Sequence, residues 1–269
     1  MELNRTDQAS IQVCYGNIAA LLGYQTSDMK WYQEAALAYQ EALESISQAD
    51  SPLDWGTVQR HLAVVRQILG ERAGDEQVLE NAVEGYRAAI ATFTRQAFPW
   101  EWASLQARLG VTLYRLDGLR GDIEILKDGI AALQSAAQVF SREATPFRWA
   151  DVKNSLGQAL QVWGDEARSP ELLERAVQAC QEALQVRSRE ITPMLWAASQ
   201  NNLGSALFML GRMTEDTEHL EGAATAFAGA LEVYKANGSA RLAKVAERNL
   251  ARTEELLRGR VARSVAKLY

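Results

Sequence analysis

Four prolines recur at a spacing of 47 residues, and each is followed three residues later by a tryptophan. The prolines are Pro52, Pro99, Pro146 and Pro193, and the tryptophans are Trp55, Trp102, Trp149 and Trp196. An unbroken period of this length is typical of a repeat array, in which each unit covers the apolar face of its neighbour. The period therefore favours an extended array with a long surface over a fold built around one buried reaction centre.

Each 47-residue unit contains two helix starts. The first is the proline, which suits the first helical position because its missing N–H is not needed there. The residues before the prolines are predicted caps, with Phe98 as the exception: Ser51, Thr145 and Thr192. The second start is a recurring N-cap residue: Asp28, Asp75, Asp122, Ser169 and Asp216. We name the proline-initiated helices A and the others B, which predicts six A helices and five B helices.

The A helices carry an apolar seam at helical spacing, illustrated by Trp149, Val152, Leu156, Leu160 and Trp163. Such spacing places its members on one helix face, so the four repeat tryptophans are predicted to be core residues. A small residue beside the central leucine predicts close approach of a second helix: Gly16, Ala63, Gly110, Gly157, Gly204 and Ala251. Further glycines are predicted to end the A helices as left-handed caps: Gly23, Gly70, Gly164 and Gly211, with a slip to Gly118.

Composition excludes several classes of protein. Among 269 residues, 48% are hydrophobic and the formal net charge is −6. An acidic chain of this kind is not expected to bind nucleic acid or an anionic membrane. The amino terminus has no basic start followed by an apolar run, and no stretch approaches the roughly 18 apolar residues of a membrane span. A cytoplasmic location is the expectation, with Cys14 and Cys180 as reduced thiols.

The repeat motifs resemble the tetratricopeptide repeat. The resemblance rests on Leu156-Gly157-Leu160, Leu203-Gly204-Leu207, Ala82-Tyr86-Ala89 and Ala223-Phe227-Ala230. The unit of 47 residues is longer than the usual repeat of about 34. The sequence Asn201-Asn202-Leu203-Gly204 is similar to the kinesin-light-chain type of repeat, and long units also resemble those of bacterial multi-repeat signalling proteins.

The resemblance implies an all-α fold, a right-handed α-solenoid of helical hairpins. It predicts one domain over residues 1–258, followed by a basic tail at 259–269. The five repeats and the capping helix are expected at 5–51, 52–98, 99–145, 146–192, 193–239 and 240–258.

The resemblance also implies a concave groove lined by the A helices. The predicted peptide-binding residues are Asn17, Arg60, His61, Arg108, Tyr114, Asn154, Gln158, Asn201, Asn202, Ser205, Phe208 and Arg248. Asparagine amides both donate and accept, so they suit the backbone of an extended peptide. The arginines suit an acidic peptide or a free carboxyl terminus. Tyr114 and Phe208 are candidate apolar anchors, and Trp100 is a candidate exposed contact at a repeat edge.

Each of these interpretations has a structural alternative. The asparagines alternatively lie on a solvated face or tie adjacent helices together. The arginines alternatively pair with neighbouring glutamates, and the aromatic residues alternatively pack between A helices.

The function expected is that of a non-enzymatic adaptor that holds an extended, and in one version acidic, segment of a partner protein. The alternatives are an oligomeric or intramolecular scaffold of a larger bacterial signalling or defence assembly and, more remotely, an enzyme on a solenoid. His61 and His219 have no companion at metal-ligand spacing, and no phosphate-binding glycine loop or Gly-x-Ser-x-Gly elbow occurs. No metal and no cofactor are therefore predicted, and the chain is expected to be a monomer or a homodimer.

Overall fold

The computed structural model describes residues 5–266, and within that range the chain forms eleven α-helices and no strand. The A helices are α1 (Arg5–Thr26), α3 (Pro52–Ala73), α5 (Pro99–Arg120), α7 (Pro146–Glu166), α9 (Pro193–Thr214) and α11 (Ala240–Ala266). The B helices are α2 (Met29–Ser45), α4 (Glu76–Thr92), α6 (Ile123–Ala137), α8 (Pro170–Leu184) and α10 (Thr217–Ala236). The predicted all-α class and the alternation of six A with five B helices are confirmed.

The predicted N-caps of the B helices are confirmed. Each side-chain oxygen accepts from a backbone N–H of the first turn, as when Asp75 accepts from Val78 at 3.1 Å and Ser169 accepts from Leu172 at 3.3 Å. The other three caps make the same type of bond. Proline occupies the first turn of α3, α5, α7 and α9, as predicted. The two helix starts of each repeat are thus fixed by local chemistry.

The predicted side-chain caps before the prolines are wrong. Ser51, Thr145 and Thr192 make no capping hydrogen bond. The Thr145 hydroxyl instead donates to the Ser141 carbonyl at 3.2 Å, and the Thr192 hydroxyl donates to the Ser188 carbonyl at 3.3 Å. These hydroxyls therefore close the turn that precedes the helix, a competing local bond available to serine and threonine.

The predicted glycine caps are also wrong. Gly70 and Gly164 lie inside A helices, where an added Cβ would come within 2.8 and 2.9 Å of leucine side chains on the next B helix. Gly23 and Gly211 are equally crowded. The left-handed conformation falls four residues after these glycines, and three after Gly118, at Ser27, Gly74, Gly121, Arg168 and Glu215, again at a spacing of 47. The recurring glycines thus serve close packing, and three of the five left-handed positions accept a side chain.

The predicted close approach of A and B helices is confirmed. A Cβ at Gly110 would lie 2.6 Å from Leu133, and one at Gly157 would lie 2.5 Å from the Cys180 sulfur. Gly16 and Gly204 face aromatic rings at 2.7 and 2.8 Å. Such distances exclude any larger residue without movement of the neighbour, so the glycines set how close the helices of a hairpin lie.

The helices group into two compact units, residues Met1–Val139 and Phe140–Tyr269. Within each unit, every described helix packs on the next along the chain. Tyr86, Leu105 and Leu133 are among the fully buried side chains of unit 1, and Leu173 and Phe227 are among those of unit 2. The A-helix seam is buried as predicted, except at its tryptophans.

The four repeat tryptophans are only partly buried, which corrects their assignment to the core. They stand at the first turns of the A helices, where the seam reaches the surface. Cations lie over three of the rings: Arg95 is 5.4 Å from Trp102, Lys153 is 5.6 Å from Trp149, and Arg189 is 5.9 Å from Trp196. The rings therefore lie at the edge of the core, where Trp196 packs against buried residues and a cation covers three of the four rings.

Helix α11 continues to Ala266, eight residues beyond the predicted end of the capping helix. The last three residues of the predicted tail, 267–269, lie outside the described residues. The surface of α11 is polar and its described charges are mainly basic, including Arg241, Lys244 and Arg248.

Candidate peptide-binding surface

The predicted amides on the A helices of unit 2 bond to one another. The Asn202 amide donates to Asn154 Oδ1 at 3.0 Å, and the Gln158 amide donates to Asn202 Oδ1 at 3.2 Å. The Ser199 hydroxyl also donates to Asn154 Oδ1, at 2.9 Å. The three amide side chains are partly buried, Ser199 is fully buried, and together they join α7 to α9. The alternative in which asparagines tie adjacent helices together therefore describes the unbound molecule.

A second pair of amides joins α9 to α11. The Asn249 amide donates to Asn201 Oδ1 at 3.5 Å, the outer limit of a hydrogen bond. The Ser205 hydroxyl donates within its own helix to the Asn201 carbonyl at 3.0 Å. A carboxamide has two donor hydrogens and two acceptor lone pairs, and each bond here uses one of them. The row of amides on α7, α9 and α11 thus keeps hydrogen-bonding capacity for a ligand.

A small cleft of about 70 Å³ opens between α7, α9 and α11. It is lined by Gln161, Ser205, Phe208, Met209, Phe227, Asn249 and Arg252. Phe208 is only 5% exposed and packs with Leu220 and Phe227, while the Arg252 guanidinium lies 5.0 Å above its ring. Phe208 is therefore the floor of the cleft rather than an exposed anchor.

In unit 1, tyrosines of the B helices reach predicted residues on the A helices. The Tyr39 hydroxyl donates to Asn17 Oδ1 at 2.8 Å, and its ring lies 5.5 Å from the ring of His61. Burial raises the pKa of Tyr39 to about 12, so the phenol stays a neutral donor. Tyr114 is partly buried beside the Arg115 guanidinium, at 5.4 Å.

His61 is held in its neutral form. Burial lowers its pKa, and the positive charge of Arg60 lowers it further. Its Nε2 lies 3.3 Å from Arg60, and its Nδ1 is buried with no hydrogen-bond partner. Because arginine only donates, the neutral imidazole accepts at Nε2 and carries its proton on Nδ1, which can donate one hydrogen bond to a ligand that displaces neighbouring side chains.

The predicted arginines are not paired with glutamates. Within residues 5–266, no carboxylate lies within 4.0 Å of Arg60, Arg108 or Arg248. Arg108 and Arg248 are exposed, and the Arg108 charge offsets part of the rise that burial causes in the pKa of Tyr86. These guanidinium groups are thus not engaged by a carboxylate of the described residues.

Unit 1 contains Asn17, Arg60, His61, Arg108 and Tyr114, and unit 2 contains the other seven predicted residues. The structure brings together Asn154, Gln158 and Asn202, and separately Asn201 and Ser205. Arg248 lies on α11, next in sequence to Asn249, which donates to Asn201. Trp100 is half-exposed, in line with its expected place at a repeat edge.

The sequence reasoning missed a buried arginine behind the amides. Arg187 is only 4% exposed and donates to Asp151 Oδ1 at 2.5 Å, to Ser199 Oγ at 2.7 Å and to the Leu195 carbonyl at 3.4 Å. Ser199 passes the connection on to Asn154. The sequence does contain a signal for this residue, because Arg187 breaks an otherwise apolar position of the repeat. The equivalent residues of the earlier repeats are Ile46, Phe93 and Phe140.

The residues that the structure describes contain neither a metal site nor a helix able to cross a membrane. No group of three or more His, Cys, Asp or Glu is placed to hold a metal ion. Across residues 5–266, no helix combines the length and apolar character required to cross a bilayer.

Comparison with known proteins gives matches only among solved structures. No protein-family model matches the sequence, and no curated protein matches it. The structure of MamA is similar with a TM-score of 0.50 and 16% identity, covering 87% of this chain and 95% of that chain. BtubC from P. vanneervenii matches with a TM-score of 0.38 and 17% identity over 96% of this chain and 94% of that chain. The TPR2AB domain of yeast Sti1, in a pHSP90 complex, matches with a TM-score of 0.33 and 17% identity over 98% and 97%.

At these identities the likeness concerns the fold alone. MamA is a protein with tetratricopeptide repeats, and its similarity agrees with the motifs and the helical hairpins described above. The chain therefore has a tetratricopeptide-like, all-α repeat solenoid fold.

Proposed function

We propose that this chain is a non-enzymatic adaptor that binds an extended segment of a partner protein along its A helices. The observation that carries the proposal is the row of partly buried amides on α7, α9 and α11, beside a cleft in the same surface. Polar amides in such a position are costly for packing alone, because Asn is a mediocre helix former.

The amides can exchange partners without a large penalty. A peptide backbone offers one donor and one acceptor per residue, which match a carboxamide whatever the peptide side chain. Replacing an amide–amide bond by an amide–backbone bond conserves the number of hydrogen bonds, so the net cost is small. The intramolecular network thus keeps the amides oriented until a ligand arrives.

Charge adds a preference to this binding surface. In unit 2, Arg248 on α11 is exposed and has no carboxylate of the described residues within ion-pair distance, although the chain as a whole is acidic. Arginine binds carboxylates with two parallel hydrogen bonds. We therefore expect acidic side chains or a terminal carboxylate in the bound segment.

A peptide panel tests the adaptor proposal. The double variant Asn154→Ala/Asn202→Ala removes both partners of one amide bond, which limits unsatisfied groups. We expect it to weaken binding of an acidic, extended peptide by about tenfold or more, equivalent to ~1.4 kcal/mol. Fluorescence anisotropy of labelled acidic, neutral and basic peptides measures this.

The matched control is Gln178→Ala, an exposed amide on helix α8. It should leave affinity within about twofold of the wild type. The proposal would be contradicted if both variants lost the same affinity, or if the double variant bound the peptide as tightly as the wild type.

A second candidate is a scaffold that self-associates through α1. Between Gln8 and Thr26 this helix carries no charged residue, and it exposes large apolar side chains. Ile18 is 58% exposed and Tyr24 is 78% exposed. Exposed apolar side chains grouped in one segment of this kind mark an interaction surface.

For the scaffold candidate, we expect the mass in light scattering to rise with concentration and to fall to that of a monomer in Ile18→Lys. A charge placed in an apolar interface is not solvated there, so association is lost. Ile191→Lys is the matched control, because Ile191 is 76% exposed in a turn of unit 2. A monomeric mass at every concentration of the wild type excludes this candidate.

A further inference from the structure

A cavity of about 470 Å³ opens in the first repeat, between α1, the end of α2 and the first turn of α3. Its apolar wall is formed by Ala9, Val13, Ile46 and Val58. Its polar lining consists of hydroxyl groups, the thiol of Cys14 and two carboxylates, Asp50 and Asp54. The cavity has the mixed lining of a ligand site, and its described lining residues carry negative charge and no cation.

The same position in the second repeat is filled by aromatic rings. Phe93 stands 47 residues after Ile46, and Phe98 stands 47 residues after Ser51. Their rings pack edge to face with centroids 5.4 Å apart. Gly56, the equivalent of Ala9, leaves room for them, since a Cβ there would lie 3.1 Å from Phe93. The first-repeat cavity therefore arises from the smaller side chains at these positions.

The equivalent position in the fourth repeat holds a buried guanidinium. Arg187 stands at the place of Ile46, and its side chain is only 5% exposed. Its partners Asp151, Leu195 and Ser199 occupy the places of Ser10, Asp54 and Val58, all of which line the cavity. This repeat geometry thus accepts an arginine side chain when a carboxylate accompanies it.

Among the described lining residues of the first repeat, Ile46 stands at the place of Arg187, and the carboxylates stand at other positions than that of Asp151. Asp54 stands at the place of Leu195, whose backbone carbonyl accepts from Arg187 in the fourth repeat, and Asp50 lies in the preceding turn; both residues are exposed. Neither carboxylate forms an ion pair within the described part of the chain. We propose that this cavity binds an arginine side chain of a partner protein.

In the proposed complex, the guanidinium lies against Asp54 and Asp50, and the methylene stem lies against Val13, Ile46 and Val58. Arginine suits such a site because its planar group binds carboxylates bidentately while its stem covers apolar surface. The site lies on α1, α2 and α3, and it does not depend on the proposed binding along α7, α9 and α11.

Cys14 gives a direct readout of occupancy. It lines the cavity and is exposed, whereas Cys180 is fully buried. Burial raises the pKa of Cys180 to about 12, so alkylation of the folded protein reports on Cys14. The probes are N-acetyl-arginine amide and its neutral isostere N-acetyl-citrulline amide, with N-acetyl-lysine amide as a third cation.

We expect N-acetyl-arginine amide to slow iodoacetamide alkylation of Cys14 by at least about threefold at saturation, and the citrulline probe to have no effect. NMR line broadening of the arginine Nε–H should show the same preference. Asp54→Asn should abolish both effects. Equal protection by citrulline, or stronger protection by lysine, would overturn the assignment to a guanidinium.

The second variant fills the cavity with aromatic side chains. Ala9→Gly/Ile46→Phe/Ser51→Phe copies residues that already pack together in the second repeat, so the fold should be retained in a circular dichroism melt. It should lose the probe-dependent line broadening. Broadening that persists in this variant places binding elsewhere. Protection of Cys14 that appears without a probe and rises with protein concentration identifies a second copy as the occupant, which also overturns the proposal.

Discussion

Phe227→Ala is expected to lower the free energy of unfolding by about 3–5 kcal/mol, the usual cost of deleting a buried aromatic ring. Phe227 is 2% exposed and packs between α9 and α10 with Phe208, Leu220 and Ala223. Its ring lies directly over Gly204, so truncation opens a void that the backbone of α9 cannot fill. Urea denaturation followed by circular dichroism measures the loss.

The same contact makes the ring and the glycine interdependent. A Cβ on Gly204 would lie 2.8 Å from two ring atoms of Phe227, so Gly204→Ala alone should cost about 1–3 kcal/mol. The double variant Gly204→Ala/Phe227→Leu should lose less free energy of unfolding than the sum of the losses in Gly204→Ala and Phe227→Leu. The smaller leucine side chain leaves room for the new methyl group.

Gly118→Ala is the control for these glycine substitutions. Gly118 lies in α5 with no heavy atom within 4 Å of an added Cβ, so alanine should stabilise by about 0.5–1 kcal/mol. Strict additivity of the Gly204 and Phe227 changes would show that the ring moves freely away from α9, against the packing described here.

The helices and their starts were predictable because a repeat presents the same local chemistry several times. A single aspartate before an apolar run is weak evidence for an N-cap, but Asp28, Asp75 and Asp122 recur at one spacing. The close approach at Gly110 and Gly157 was predictable for the same reason. Recurrence within one chain thus strengthens a weak local signal in the way that recurrence among related sequences would.

The errors come from residues whose role depends on distant contacts. A glycine near a helix end has the same local pattern whether it caps the helix or admits a neighbouring side chain. At Gly70 and Gly164 the contact with a leucine of the next helix decides for packing. The left-handed residue then falls at Ser27, Arg168 and Glu215, which have φ of 58°, 50° and 61° and carry no glycine signature.

The binding surface was predictable in its residues but not in its bonds. The sequence predicts Asn154 and Asn202 as binding residues, but their mutual bond depends on side-chain directions in two helices. The cavity in the first repeat depends on the absence of large side chains, which only the packed structure reveals.

Arg187 shows how a polar cluster replaces apolar packing at one position of the repeat. Residues at this position and their partners on the next A helix are apolar in three repeats: Ile46 with Val58, Phe93 with Leu105, and Phe140 with Val152. In the fourth repeat both members are polar, Arg187 with Ser199, and they are bonded at 2.7 Å. The position therefore accepts either chemistry, provided that both members change together.

Arg187→Ala should lower the free energy of unfolding by about 3 kcal/mol. The change removes a large buried side chain and leaves the Ser199 hydroxyl and the Leu195 carbonyl without this donor. Asp151 is largely exposed and can be solvated by water, so the loss should stay below that for breaking a fully buried ion pair.

Arg187→Phe/Ser199→Val copies the Phe140 and Val152 pair and should recover most of that loss, since apolar packing often replaces a buried ion pair without cost. Thermal and urea unfolding of both variants measure the recovery. If the double variant is as unstable as Arg187→Ala, the bonds to Asp151 and Asn154 hold unit 2 together in a way that apolar packing cannot replace. Recovery would instead show that Arg187 is not needed for stability. Its role would then be to orient the amides on α7 and α9, which it reaches through Ser199.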